Sequence, residues 1–159
     1  MTKTTDASGS IMSLLDYNNM DIAVPGWAFY SLFQKCATLR EPPELPATNL
    51  AEGCYYNMFN GCTSLTQAPA LPATTLASNC YERMFNGCSS LATPPDLPAT
   101  NLANYCYFGM FANCTSLTQA PTLPATRLAE GCYQTMFGKC SSLTKAPELP
   151  ATQLAIGCY

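Results

Sequence analysis

The chain has 159 residues, 48% of them hydrophobic and only 11% charged, with a formal net charge of -3. That composition supplies a sizeable core and excludes a disordered chain, and it offers no basic field to release counterions from a phosphate backbone, so nucleic acid is not an expected partner. Histidine is absent, which removes the commonest general base near neutral pH and the commonest metal ligand together.

Residues 1–18 open with the polar stretch MTKTTDASGS, which lacks the apolar core of a secretory signal, and continue into IMSLLDY. They are expected to form a tail and an N-terminal cap, with Ile11, Leu14 and Leu15 covering the first repeat. No apolar run in the chain approaches the roughly 18 residues that cross a bilayer, so membrane insertion is not expected.

From Asn19 onward the chain repeats. The motif LPAT starts at Leu45, Leu71, Leu97, Leu123 and Leu149, each 26 residues from the last without insertion or deletion. Residues 19–44 are a divergent earlier copy, in which Val24 stands for Leu50, Ala28 for Cys54, Phe29 for Tyr55, Phe33 for Phe59, Cys36 for Cys62 and Leu39 for Leu65. Residues 19–159 are therefore read as five repeats and a partial sixth, and a fixed period in this range predicts a solenoid. The last copy stops eleven residues in, at Tyr159. This predicts a piece of a longer array, with self-association through the uncovered stretch Gln153 to Tyr159.

Within one repeat, Leu50, Cys54, Met58 and Cys62 recur every four residues, with Ala51, Tyr55 and Phe59 beside them. That stripe predicts an amphipathic helix of about a dozen residues, N-capped by Thr48 and its equivalents Thr74, Thr100, Thr126 and Thr152, and closed by a left-handed Gly61 or Gly87. The following CTSLTQAPAL carries two prolines per repeat with the next LPAT, which predicts only a short strand at 65–68, a bend at Pro69 and a second extended piece from Leu71.

The recurring segments MFNGCTSL, MFNGCSSL, MFANCTSL and MFGKCSSL, with LFQKCATL in the first copy, resemble the BspA-like leucine-rich repeats of bacterial surface proteins. The resemblance implies an α/β solenoid, a leucine-rich-repeat-like right-handed superhelix in which each repeat is a short strand plus a helix. It also implies a cell-surface or secreted adhesion and host-interaction module.

The ten cysteines form two ladders, 54, 80, 106, 132 and 158 in one and 36, 62, 88, 114 and 140 in the other. Eight residues of helix hold Cys54 and Cys62 about 12 Å apart, too far for a disulfide, and no C-x-x-C pair favours zinc. They read as buried free thiols packed as small apolar residues, the alternative being bridges between neighbouring repeats if the turns stack at a strand-like spacing of about 4.8 Å. No catalytic residue, metal ligand or cofactor is expected, because a cysteine nucleophile needs a neighbouring base or a depressed pKa and ten equivalent cysteines without histidine offer neither.

Tyr55, Tyr81, Tyr107 and Tyr133 share the apolar stripe and are expected in the core. Variation between repeats points to exposed positions instead. One column holds Gln67, Thr93, Gln119 and Lys145, and another holds Ala70, Asp96, Thr122 and Glu148. Tyr56, Tyr105 and Phe108 occupy offsets that elsewhere carry small or polar residues. These eleven are the candidate partner contacts. The function expected is non-enzymatic display of variable side chains to a protein or glycan ligand, with a structural spacer in a larger surface protein as the alternative.

Overall fold

The fold comes from a computed structural model whose description covers residues 6–16 and 22–159. The expected boundary between Asn18 and Asn19 and the start of the polar tail lie outside the described residues.

The 26-residue copies stack one upon the next, but not as strand plus helix. Among the described residues the one helical element is a 3-10 turn at Ile11–Leu14, and strand pairing is limited to isolated parallel bridges such as Val24 with Leu50 and Thr75 with Asn101. The expected α/β solenoid with leucine-rich-repeat architecture is therefore overturned. So are the helix capped by Thr48 and the short strand at 65–68.

The segment expected to be helical is a ribbon of overlapping turns. In the copy that begins at Leu45, the amides of Cys54, Tyr56, Met58, Asn60 and Cys62 donate to the carbonyls three residues back, at 3.0–3.3 Å. The intervening amides of Gly53, Tyr55, Asn57, Phe59 and Gly61 donate to the carbonyls of Ser78, Cys80, Glu82, Met84 and Asn86 in the next copy, at 2.7–3.0 Å. Even-numbered amides thus close turns and odd-numbered amides join coils. The same parity holds from Trp27 in the first copy to Tyr133 in the fifth. Each backbone amide from Gly53 to Cys62 finds a backbone partner without any helix, as buried backbone must.

A turn with a left-handed third residue alternates with one that lacks it, so positive φ recurs every fourth position: Gly53, Asn57 and Gly61, then Asn79, Arg83 and Gly87. Glycine and asparagine suit that region because they carry little steric penalty there. Gly61 and Gly87 are left-handed as expected, yet they end no helix.

The apolar pattern that resembled a helix has a period of four rather than 3.6. A straight helix would rotate such a stripe by about 40° per step and carry it off the core. The turn ribbon has no such drift. It sends the pairs Cys54/Tyr55 and Met58/Phe59 inward, and their equivalents in the next two copies are buried as well, whereas in the first copy Leu32, at the offset of Met58, is exposed and Phe33 is only partly buried.

Inside, the side chains form ladders. Phe29, Tyr55, Tyr81, Tyr107, Tyr133 and Tyr159 stack at 5.6–6.2 Å between ring centroids. Phe33, Phe59, Phe85, Phe111 and Phe137 stack at 5.6–5.9 Å with interplanar angles of 5–9°. Helices packed side by side sit 8–10 Å apart, so this spacing belongs to coils joined by backbone hydrogen bonds. At the N-terminal end, Ser10 bridges Glu44 and the Ile11 amide donates to the Glu44 carbonyl. Ile11 and Met12 are buried and Leu15 packs partly against the core, whereas Leu14 points to solvent.

Phe111→Ala removes one rung of a fully buried ladder and is expected to lower stability by about 3–5 kcal/mol, while Lys145→Ala should change it by less than about 0.5 kcal/mol. Urea unfolding of both variants checks the ranking. Glycine replacements separate strain from collision. An alanine Cβ at Gly87, where φ is +74°, meets nothing closer than 3.7 Å, so Gly87→Ala should cost about 1–2 kcal/mol of left-handed strain alone. At Gly131 the Cβ would also collide with the Tyr105 ring, and Gly131→Ala should lower the midpoint further.

Candidate interaction surface

Two faces of the stack carry the candidate contacts, and they are built differently. The first is the proline-rich segment between ribbons. Here residues alternate in and out: Pro69, Leu71 and Ala73 are buried, while Ala70, Pro72 and Thr74 are exposed. The second proline of each copy has no amide to donate, and no backbone hydrogen bond joins 67–73 to 93–99. Adjacent coils consequently stand apart, leaving shallow grooves. One of about 380 Å³ lies between 118–124 and 144–150, one of about 460 Å³ between 41–46 and 67–72, and one of about 570 Å³ between 68–72 and 94–98.

All eight residues of the two variable columns are exposed. Gln119, Thr122, Lys145 and Glu148 line one groove together. Gln67 and Ala70 line the second, and Ala70 and Asp96 meet at the third. Thr93 is exposed but lines none of these three. In place of the expected strand the columns flank grooves, because the prolines that prevent the strand also open the space between coils.

The second face is the outer edge of the turn ribbon. Tyr56, Tyr105 and Phe108 lie here, each half-buried. They do not form one patch. Tyr56 joins Trp27 and Tyr30, with ring centroids 5.7 and 5.2 Å away, whereas Tyr105 packs edge-on against Phe108 at 6.1 Å. The Tyr105 hydroxyl donates to Glu130 Oε1 at 2.7 Å, and the Arg83 guanidinium lies over the Phe108 ring, 5.0 Å from its centroid. Trp27 and Tyr30 are the functional candidates that sequence reasoning missed. Their signal was present, since Trp27 falls on the offset of Tyr105 and Tyr30 on that of Tyr56 and Phe108.

Electrostatics separate the buried chemistry from the exposed. All ten cysteines are free, and nine of them are buried. Burial pushes the thiols of Cys54, Cys62, Cys106 and Cys114 up to about 12, and it raises those of Cys80 and Cys88 as well. A thiol held neutral is a poor nucleophile. In the second ladder the S–H groups tie coils together. Cys62, Cys88, Cys114 and Cys140 each reach back to a phenylalanine carbonyl of the preceding coil at 3.0–3.2 Å. The Tyr81 and Tyr107 hydroxyls are raised first by burial and then by the neighbouring thiols. On the surface, Tyr56 is raised by partial burial and then by the Glu82 carboxylate, and Tyr105 chiefly by its hydrogen bond to Glu130.

Compared with protein-family models, with curated proteins and with solved structures, the chain matches none of them. The resemblance to BspA-like proteins therefore gains no support from relatives, and the leucine-rich-repeat label falls with the strand-and-helix architecture. Among the described residues no helix is long and apolar enough to cross a membrane.

The raised thiols make stability depend on pH in one direction. Below the ordinary thiol value of 9.0 these thiols are protonated in the folded and the unfolded chain alike. Above it the unfolded chain loses protons that the folded chain keeps up to about 12, so stability falls as pH rises. Urea midpoints are expected to be flat between pH 7 and about 8.5 and to drop steadily toward pH 11. A midpoint that held constant to pH 11 would show that the thiols are exposed.

Proposed function

We propose that the chain is a non-enzymatic interaction module, in which a rigid stack of near-identical coils presents variable side chains to an extended partner. The observation that carries this reading is the partition of variation. The frame residues recur from copy to copy inside the stack, while the columns that hold Gln119 and Lys145 and Thr122 and Glu148 vary between copies, and these four residues line the two sides of one groove. Catalysis finds no support in that groove, whose ionisable side chains are Lys145 and Glu148.

An extended peptide suits the grooves because they run between coils and repeat along the stack. Each groove offers a small contact, so affinity would accumulate over several copies. The acidic column residues Asp96 and Glu148 alternate with neutral ones, which favours ligands with spaced basic side chains.

Panning a random peptide library displayed on phage against the folded chain tests this reading. Peptides should enrich, and Gln119→Ala and Glu148→Lys should each weaken them about 3- to 30-fold while Lys145→Glu tightens them, none of the three shifting the thermal midpoint. Enrichment that ignores all three substitutions, or no enrichment, would remove the groove reading and favour the spacer.

A further inference from the structure

The outer edge of the ribbon holds an arrangement that neither the frame nor the grooves explain. Trp27, Tyr30 and Tyr56 form a triangle of rings with centroids 5.2–5.9 Å apart. Trp27 is 46% and Tyr30 52% exposed. Two large rings left largely in solvent against a third that is half-buried make an exposed apolar patch of the kind that marks an interaction site.

Backbone geometry adds a second, independent observation. Trp27 and Tyr105 occupy the left-handed column, with φ of 59° and 57°, where other copies carry Gly53, Asn79, Gly131 and Gly157. A bulky aromatic residue is strained at such an angle, and strain of this kind marks sites selected for something other than stability. In both places the next coil makes room: the Trp27 ring covers Gly53 and the Tyr105 ring covers Gly131, so closely that a Cβ on either glycine would collide with it. Each ring is thus laid against the glycine of the next coil. Tyr105 with Phe108 repeats the placement of Trp27 with Tyr30, three coils further along.

We propose that Trp27, Tyr30 and Tyr56 form a platform for a neutral, β-linked oligosaccharide, and that Tyr105 and Phe108 form a second station for the same chain of sugars. A pyranose with equatorial hydroxyls presents a flat face of C–H groups, which are electropositive and match the negative face of an aromatic ring. The hydroxyls at its rim need acceptors and donors beside the rings. Glu130 is exposed and accepts from the Tyr105 hydroxyl, while Glu82, buried near Tyr56 and accepting from the Asn79 side-chain amide, adds negative charge beneath the first station. Those carboxylates disfavour sulfated or sialylated glycans, and the Arg83 cation beside them is tied to the Phe108 ring. The stations are three coil steps apart, each 5.6–5.8 Å along the core ladder, so a single sugar engages one and an oligosaccharide engages both. This site lies on a different segment from the grooves and stands or falls separately from the peptide reading.

Trp27 is the only tryptophan in the chain, so its emission reports the platform directly. Titration with cellohexaose should shift that emission with saturation at or below about 1 mM, and cellobiose should bind more weakly. Trp27→Gly, which relieves the left-handed strain, should keep the thermal midpoint and weaken cellohexaose at least tenfold by calorimetry. Tyr105→Gly should weaken cellohexaose while leaving cellobiose unchanged. Emission unmoved by cellohexaose, or moved equally by a heparin hexasaccharide, overturns the assignment. A shift that follows the concentration of the chain alone assigns the rings to contact between copies and overturns it too.

Discussion

The structure depends on one backbone rule, the division of ribbon amides by parity. An even-numbered amide closes the turn it belongs to, and an odd-numbered amide leaves the coil for the carbonyl 25 residues on. Neither set is sufficient alone. Turns closed only by local bonds would be an isolated ribbon with half its polar groups unpaired, and coils joined without turns would be strands of a sheet. Both sets together satisfy the ribbon and bring coils within stacking distance, which permits the aromatic ladders.

That rule explains why the period never varies. Because 26 is even, each residue meets an equivalent of the same parity in the next copy. One inserted residue in the ribbon would turn bridging amides into turn-closing ones and move the Cys54/Tyr55 pair off the core. The penalty resembles a register slip in a sheet, where a single step exchanges the two faces. Substitution is tolerated where the ribbon faces water, and insertion is not.

Much of this was legible in the sequence, and the errors about the fold have a single source. The repeat, its copies and the buried identity of Tyr55, Phe59 and Cys62 follow from spacing alone. Period-four hydrophobicity, however, serves a helix and a turn ribbon alike over three steps, and helix was the commoner answer. The discriminating residues were Gly53, Asn57 and Gly61, spaced by four and therefore unlike a helix, in which a left-handed residue occurs once, at the end. Copies with Thr135 and Lys139 at those offsets obscured the signal. The variable columns were placed outside correctly because variation between copies measures exposure whatever the local backbone does. Trp27 and Tyr30 escaped because the first copy is the most divergent, and its alignment rested on apolar matches that skip both positions.

The same rule decides how each face can recognise anything. Along the ribbon the amides and carbonyls are consumed by turns and by neighbouring coils, so only side chains remain to meet a ligand. Rings laid close against glycine backbone, Trp27 on Gly53 and Tyr105 on Gly131, are what that face presents. Along the proline segment the ladder is interrupted, since Pro69 and Pro72 carry no amide proton and coils there are not bonded to one another. Backbone carbonyls and the remaining amides stay available beside Gln119 and Lys145, which is the physical ground for the peptide ligand proposed above. A stack built from one repeated sentence thus acquires two unlike surfaces, because its hydrogen bonds are complete on one side and withheld on the other.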